Sequence, residues 1–324
     1  MKKQAVQKDI SMDTTKLIVS MSPHLRGKIT VERMMLISLI SLAPTALAGI
    51  YLFGIRSFIT ILLAVVTAVV VETVIESLTH HPPTYRDYHA ALTGLLFALI
   101  LPPSVPWWIP VIGAGVAIIL GKMVFGGLGN YAFNPVLVAW VVVTLSWGDR
   151  MSTFFSPHAT QQVLTPLMAI KEDPALFYSY ELMDLFVGNQ AGAIGCVCGV
   201  AILIGGCFML TTKIIRWHIP ISFLFGIALG AIILRTINPD IYPPVAFHLI
   251  TGGTLLAALF LAPEPVTSPV TPTGMLAFGF LAGILTMIIR MWGSHPDGSF
   301  YTILVMNAAT PLFNKLKPKP LGRR

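Results

Sequence analysis

The chain has 324 residues, of which 55% are hydrophobic and only 11% charged, and its mean hydropathy is +0.78. That balance excludes a water-soluble domain of this length and predicts an all-α integral membrane protein. The net charge of +7 is not a nucleic-acid footprint, because the basic residues gather in the tails and between apolar runs, the pattern that sets membrane orientation.

Apolar runs are predicted near 33–53, 57–78, 90–101, 107–125, 131–147, 190–210, 218–235, 245–262, 274–292 and 300–314, about ten transmembrane helices. Several are shorter than the ~20 residues of a straight span. Such short runs, bounded by proline or interrupted by glycine, mark discontinuous helices at binding sites. With both termini cytoplasmic, most Lys and Arg fall on the inner side. The first run is too long and too late for a cleavable signal peptide, and no small-residue cleavage pattern follows it.

Residues 1–28 are polar and basic, a cytoplasmic tail. Residues 29–147 make a first five-span repeat. Pro44 predicts a kink in span one. Span two carries Glu72 and Glu76 near its cytoplasmic end, either as interfacial, snorkelling groups or as carboxylates of an ion pathway. His80–Ala90, HHPPTYRDYHA, reads as a solvated loop. Its two prolines break any helical pairing of the histidines, and no carboxylate or cysteine cluster completes a metal site.

The stretch Gly121–Leu137, GKMVFGGLGNYAFNPVL, is a glycine-dense break between two apolar segments. Irregular backbone at membrane depth survives only where protein, a polar cavity or a cofactor covers it. Glycine permits close approach of a flat ligand, and asparagine amides supply donors and acceptors that lipid cannot satisfy. Residues 148–188 form the longest polar insertion, on the outer face, too long for a passive connector. Cys196, Cys198 and Cys207 fall on one predicted helix, where free cysteines are packing residues rather than a disulfide framework or zinc site.

Residues 189–314 repeat the pattern of the first half. TGGTLLAALFLAP at Thr251–Pro263 echoes TGLLFALILPP at Thr93–Pro103, and NAATPL at Asn307–Leu312 weakly echoes NYAFNPVL at Asn130–Leu137. Ala262–Gly274, APEPVTSPVTPTG, is a second, proline-rich break, with Glu264 at the membrane edge. Five spans per half is odd, so the halves are expected to lie inverted around one shared interior. Residues 315–324 are a basic cytoplasmic tail.

The string LPPxxPWWxxxxG at Leu101–Gly113, followed by KxxFGGLGNxxFNP at Lys122–Pro135 and EPVTSP at Glu264–Pro269, resembles a known family. It is that of RnfD, a membrane component of the Rnf ion-translocating ferredoxin:NAD oxidoreductase, and of its homologue NqrB in the sodium-pumping NADH:quinone reductase. SPH at Ser22–His24, WHIP at Trp217–Pro220, Ile289–Arg290 and NxxxPL at Asn307–Leu312 add to the resemblance, which covers nearly the whole chain.

The resemblance implies an electron-transfer subunit in the bacterial or archaeal cytoplasmic membrane, working with other subunits of an oxidoreductase complex and moving Na⁺ or H⁺. It implies FMN bound covalently to an outward threonine that ends a D-x-x-S-G-A-T motif. Here Thr165 keeps the T-P-L end, while Gln162, Val163 and Leu164 replace S-G-A and Ala159 stands for the Asp; Thr160 keeps only A-T. It also implies a second, non-covalent flavin of riboflavin type, carried onto Asn130 and Asn134 with the backbone of Gly127 and Gly129. Glu72 and Glu264 are the ion-coupling candidates. Cys196-Val197-Cys198 stands where the family often has E-T-S, so one membrane carboxylate is missing. Two other readings of the residues stand beside this one: a channel or carrier for a small polar solute, and a flavin-free structural subunit.

Overall fold

The computed structural model describes residues 30–79, 87–157 and 161–316. The predicted N-terminal tail with its Ser22–His24 motif, the histidine–proline loop at 80–86, Ala159 and Thr160, and the C-terminal tail beyond Leu316 lie outside the described residues.

The architecture is helical. The first half holds α1 (Val31–Phe53), α2 (Ile55–Leu78), α3 (His89–Leu99), α4 (Trp108–Ile119) and α5 (Pro135–Ser146). The insertion carries three short helices, α6 (Gly148–Met151), α7 (Pro166–Glu172) and α8 (Leu182–Val187). The second half holds α9 (Gly199–Thr211), α10 (His218–Ile237), α11 (Val245–Ile250), α12 (Thr254–Leu256), α13 (Pro272–Trp292) and α14 (Ser299–Phe313). A π-helical turn, Ala257–Leu261, continues α12. Five helical stretches are long and apolar enough to cross a membrane: α1, α2, α4 extended to Phe125, α10 and α13. Four further apolar helices, α3, α5, α9 and α14, are shorter.

Each of the ten predicted runs contains a helix, but two local readings need correction, that of the cysteines and the snorkelling alternative for Glu72 and Glu76. Cys196 and Cys198 do not share a helix with Cys207; they lie in the irregular segment before α9. Ile194 N–H donates to Leu101 O at 3.0 Å and Gly195 N–H to Leu99 O at 2.7 Å, so this segment caps the end of α3 instead of extending α9. Asn307–Leu312, the weak echo of the first break, lies within α14, which runs through Pro311. Glu72 and Glu76 do not snorkel, since both are buried.

The helices read as membrane helices, with lipid and protein faces instead of wet and dry ones. On α2, Ser57, Thr60, Ala64, Ala68, Glu72 and Glu76 are buried at helical spacing, while Ile59, Leu62, Val66, Val70 and Val74 are exposed. Small and polar residues therefore line the interior and branched apolar ones meet lipid. The α10–α13 contact depends on absent side chains: a Cβ on Gly226 would meet Phe280 O and lie 3.0 Å from Gly283 Cα. The insertion has its own small core, with Leu167, Ile170, Phe177 and Leu185 packed on Phe247 of α11.

Candidate functional site

Two chambers lie at opposite ends of α3 and α5. The first, with a cavity volume of about 60 Å³, takes His89, Thr93 and Leu96 from α3, Asn134 and Val136 from the start of α5, and Phe260 and Glu264 from the second half. The second, of about 220 Å³, takes Ile100 beyond the other end of α3, Trp140 and Thr144 from α5, Thr165, Gly252 and Gly253, and His295–Asp297. Along α3 the chamber walls are separated by Phe97, Ala98 and Leu99, each wholly buried. Along α5 they are separated by Leu137, Val138 and Ala139. From Leu96 to Ile100, or Val136 to Trp140, the separation is about one helical turn, roughly 6 Å.

The first chamber is built from the glycine break. Gly126, Gly127 and Gly129 all have φ near +95°, a region that side chains disfavour, and they turn the chain after α4 back towards α5. Asn134 then caps α5: its Oδ1 accepts from Val136 N–H at 2.9 Å and Leu137 N–H at 3.4 Å. Its Nδ2 donates to Leu261 O of the other half at 3.4 Å. Asn307 of α14 accepts the Asn134 backbone N–H at 3.0 Å once its amide is oriented to satisfy both of its contacts. Asn130 is elsewhere: it is exposed and donates to Gly126 O at 3.3 Å. The structure therefore does not bring Asn130 and Asn134 together on one flavin edge; only Asn134 lines the chamber. Gly127 and Gly129 belong to the exposed turn, with open space where a Cβ would sit.

Two charged groups of the break and α2 meet nearby. Lys122 and Glu72 form an ion pair with each side chain only 1% exposed. Charges so buried persist only when paired. On the far wall of the chamber Glu264 accepts from the Tyr131 hydroxyl at 2.6 Å and from Thr267 Oγ1 at 3.0 Å. The Tyr131 oxygen is in turn 3.1 Å from His89 Nε2. Glu72 and Glu264, both ion-coupling candidates, thus sit in separate polar clusters, each anchored by a residue of the same glycine break.

The floor of the second chamber includes Asp297, and behind it lies Arg290 of α13, which is 1% exposed and does not line the cavity. Its guanidinium donates to His248 O at 2.7 Å, Thr251 O at 3.2 Å, Thr254 Oγ1 at 2.6 Å and Asp297 Oδ1 at 3.0 Å. Asp297 also accepts from the Gly253 backbone N–H and from Ser299 Oγ at 2.8 Å. Burial alone would raise the Asp297 carboxyl, but the Arg290 charge and these donors outweigh it and hold the group below the usual carboxylate range. Above the floor, Trp140 meets Phe300 and Tyr301 edge-on at 5.1 and 4.8 Å, and His295 lies over Tyr301 at 4.5 Å. Lys171 of α7 donates to Gly293 O and to His295 O at 3.0 Å, which ties the insertion to the 293–298 turn.

Thr165 lies on the wall of this chamber. It caps α7, its Oγ1 accepting from Met168 N–H at 3.2 Å, with Pro166 in the first turn. The residues before it are held by pairing: Phe155 bridges Gln162, and Val163 N–H donates to Phe154 O at 3.1 Å. The position expected for the outward attachment thus opens onto the chamber, on a stiffer approach than a Ser-Gly-Ala segment would make.

Sequence reasoning missed Lys122, His89, Tyr131, Arg290 and Asp297 as site residues. A lysine inside an apolar break and an arginine in the last turn of a membrane helix are the available signals; in the sequence both read as topogenic charges and as residues of the motifs that carry the resemblance, without a role in a site.

The profile of the NQR2, RnfD, RnfE family matches residues 18–322. The chain belongs to this family. It is 37% identical over 308 residues to the D subunit of the Na(+)-translocating ferredoxin:NAD(+) oxidoreductase complex of Acetobacterium woodii, covering 94% of each chain. It is 34% identical over 349 residues to the D subunit of the ion-translocating oxidoreductase complex of Salmonella paratyphi A, covering 94% of this chain and 98% of that one. The Salmonella typhi protein of the same description is 33% identical over the same span. As an NQR2/RnfD/RnfE-family protein, the chain is a multi-pass membrane protein.

Proposed function

We propose that this chain is the D-type membrane subunit of an Rnf-like oxidoreductase complex in the bacterial cytoplasmic membrane, carrying electrons between two flavin-holding chambers while Na⁺ or H⁺ moves in response. Family membership and relatives named as complex subunits support the assembly. The observation that carries the electron-transfer reading is the pair of chambers with one apolar turn between them. A solute or ion crossing that layer would lose its hydration with nothing to replace it, whereas an electron needs no wet path. The same layer counts against the solute-channel reading.

The chamber positions also support the inverted ten-helix repeat. Helices α3 and α5 run from the first chamber to the second, while α12 with its π turn runs from Gly253 at the second to Phe260 at the first. With the insertion outside, the second chamber faces outward and both termini lie in the cytoplasm.

The residues fit flavin unequally. The second chamber has aromatic walls for a planar ring, a hydroxyl at Thr165, and, among the described residues, no Lys or Arg lining it. It suits the ring of an FMN esterified at Thr165, with the phosphate at the mouth. The first chamber offers Asn134, Thr93 and His89 among apolar walls, a lining whose chemistry suits an uncharged riboflavin-type ring, although its cavity of about 60 Å³ must widen to admit one. Bound flavin would supply the one-electron chemistry; the chain supplies position, dryness and nearby charges. Glu72 with Lys122, and Glu264, are the groups whose charge balance a redox change would disturb.

Thr165→Ala is expected to remove an FMN-sized adduct from the intact mass of protein co-expressed with its flavin transferase; an adduct retained on the variant would place the attachment elsewhere. Asn134→Ala is expected to cost about 1 kcal/mol as a lost helix cap and to lower the extractable flavin of purified protein. Unchanged extractable flavin would remove Asn134 from the flavin site.

A further inference from the structure

Lys213 occupies a position that the backbone does not favour for it. It follows α9 with φ +58°, in the left-handed region where a side chain crowds the following carbonyl. Its N–H donates to Leu210 O at 3.1 Å, and Ile214 N–H reaches back to Met209 O at 3.2 Å. Helix ends of this form are commonly completed by glycine. The helix dipole favours a cation near this end, but a cation elsewhere in the last turn would meet it without strain. Strain kept at one residue points to a use for that residue.

Hydrogen bonds bring further cations to the same end of the bundle. Arg216, in the turn before α10, donates to Val270 O at 3.4 Å. Val270 N–H donates to Asn314 Oδ1 at 2.9 Å, and Lys315 follows Asn314 beyond α14. Lys213, Arg216 and Lys315 are all exposed, and none of them forms an ion pair among the described residues. In the sequence Lys317, Lys319, Arg323 and Arg324 follow with no acid between them. The carboxylates at this end are engaged or offset: Glu264 by Tyr131 and Thr267, Glu72 by Lys122, and the exposed Glu32 by its neighbour Arg33. Large apolar side chains stand among these cations. Trp217 is 52% exposed and stacks on His218 at 4.1 Å, and Val270 is 68% exposed.

We propose that this patch, built from the Lys213–Trp217 turn, Val270 and Lys315, binds the phosphate headgroup of an anionic phospholipid. Cations clustered just beyond membrane helices attract anionic lipid, and guanidinium and phosphate form strong charge-assisted hydrogen bonds. Tryptophan at the end of an apolar helix marks the headgroup layer. The lipid phosphate meets Lys213, Arg216 and Lys315, while its glycerol and upper acyl chains cover Trp217 and Val270. A free phosphate would use the charges and leave both apolar side chains uncovered. The site is independent of the flavin reading, because none of its three cations lines either chamber.

The test is native mass spectrometry of the purified full-length protein in detergent, titrated with phosphatidylglycerol and, separately, with phosphatidylcholine. Wild type is expected to bind phosphatidylglycerol at least ~10-fold more tightly, with a preference that falls as salt is raised. Lys213→Gly relaxes the turn, so its thermal unfolding temperature should equal or exceed that of wild type. Its phosphatidylglycerol binding should nevertheless fall about fivefold, the equivalent of ~1 kcal/mol for one cation at an anionic surface. Adding Arg216→Gln and Lys315→Gln should lower the preference by roughly tenfold or more. Arg150→Gln, which removes an exposed cation of the insertion, should leave it unchanged. Equal binding of the two lipids by wild type, or a preference unchanged in the triple variant, overturns the proposal. A preference present in the lone chain and absent from the assembled complex assigns the patch to a subunit contact and overturns it as well.

Discussion

Replacing Arg290 by Met is expected to destabilise the protein by about 3–5 kcal/mol, the range for removing one partner of a buried charge pair. The guanidinium joins α13 to the His248 and Thr251 carbonyls, to Thr254 and to Asp297, so its loss leaves several acceptors unsatisfied at once. Arg290→Lys should recover little, because an ammonium cannot reproduce a planar fork reaching several acceptors. Unfolding in detergent, followed by helical circular dichroism, checks both variants. The same cluster predicts acid sensitivity. The folded-state carboxyl of Asp297 is held below its ordinary value. Its stabilisation is therefore present above the unfolded value of about 3.9 and is lost as pH falls below it. Asp297→Asn should flatten stability across that acid window.

Lys122→Met should be comparably damaging, again by about 3–5 kcal/mol, because it removes one partner of a buried charge pair. Adding Glu72→Gln removes the other charge of the pair, so the double variant is expected to approach wild-type stability. The double-mutant cycle thus separates the pair's structural role from any role in ion movement. If the pair is also part of ion coupling, the stable double variant in proteoliposomes will transfer electrons with reduced ion movement. A double variant as unstable as Lys122→Met would show that Lys122 acts on more than Glu72.

Much of the helical layout was legible because apolar runs of membrane length leave few alternatives, and the proline and glycine punctuation located the interruptions. What the sequence hid was pairing across distance. Nothing local tells that Lys122 meets Glu72 or that Tyr131 reaches Glu264, since each pair joins segments far apart in the chain. The placement of Cys196 and Cys198 on a helix failed for a related reason. Gly192–Gly199 is apolar enough to read as helix, but its backbone donors are taken by the end of α3. The weak echo of Asn134 at Asn307 gave no hint of their contact: in the fold Asn307 is a helical residue whose side chain meets the Asn134 backbone, joining the halves from inside α14. Nor could the sequence tell that the four-residue spacing of Asn130 and Asn134 spans an irregular turn, which leaves Asn130 exposed and Asn134 buried at the first chamber.

The central claim is that two separated chambers hold redox rings, and flavin analysis of the intact complex tests it most directly. Acid precipitation divides the flavin into extractable and protein-bound fractions, and each is compared with its chamber variant. The account predicts both fractions in wild type, the bound one lost in Thr165→Ala and the extractable one reduced in Asn134→Ala. A correctly assembled complex whose D-type component carries flavin in neither fraction would contradict it.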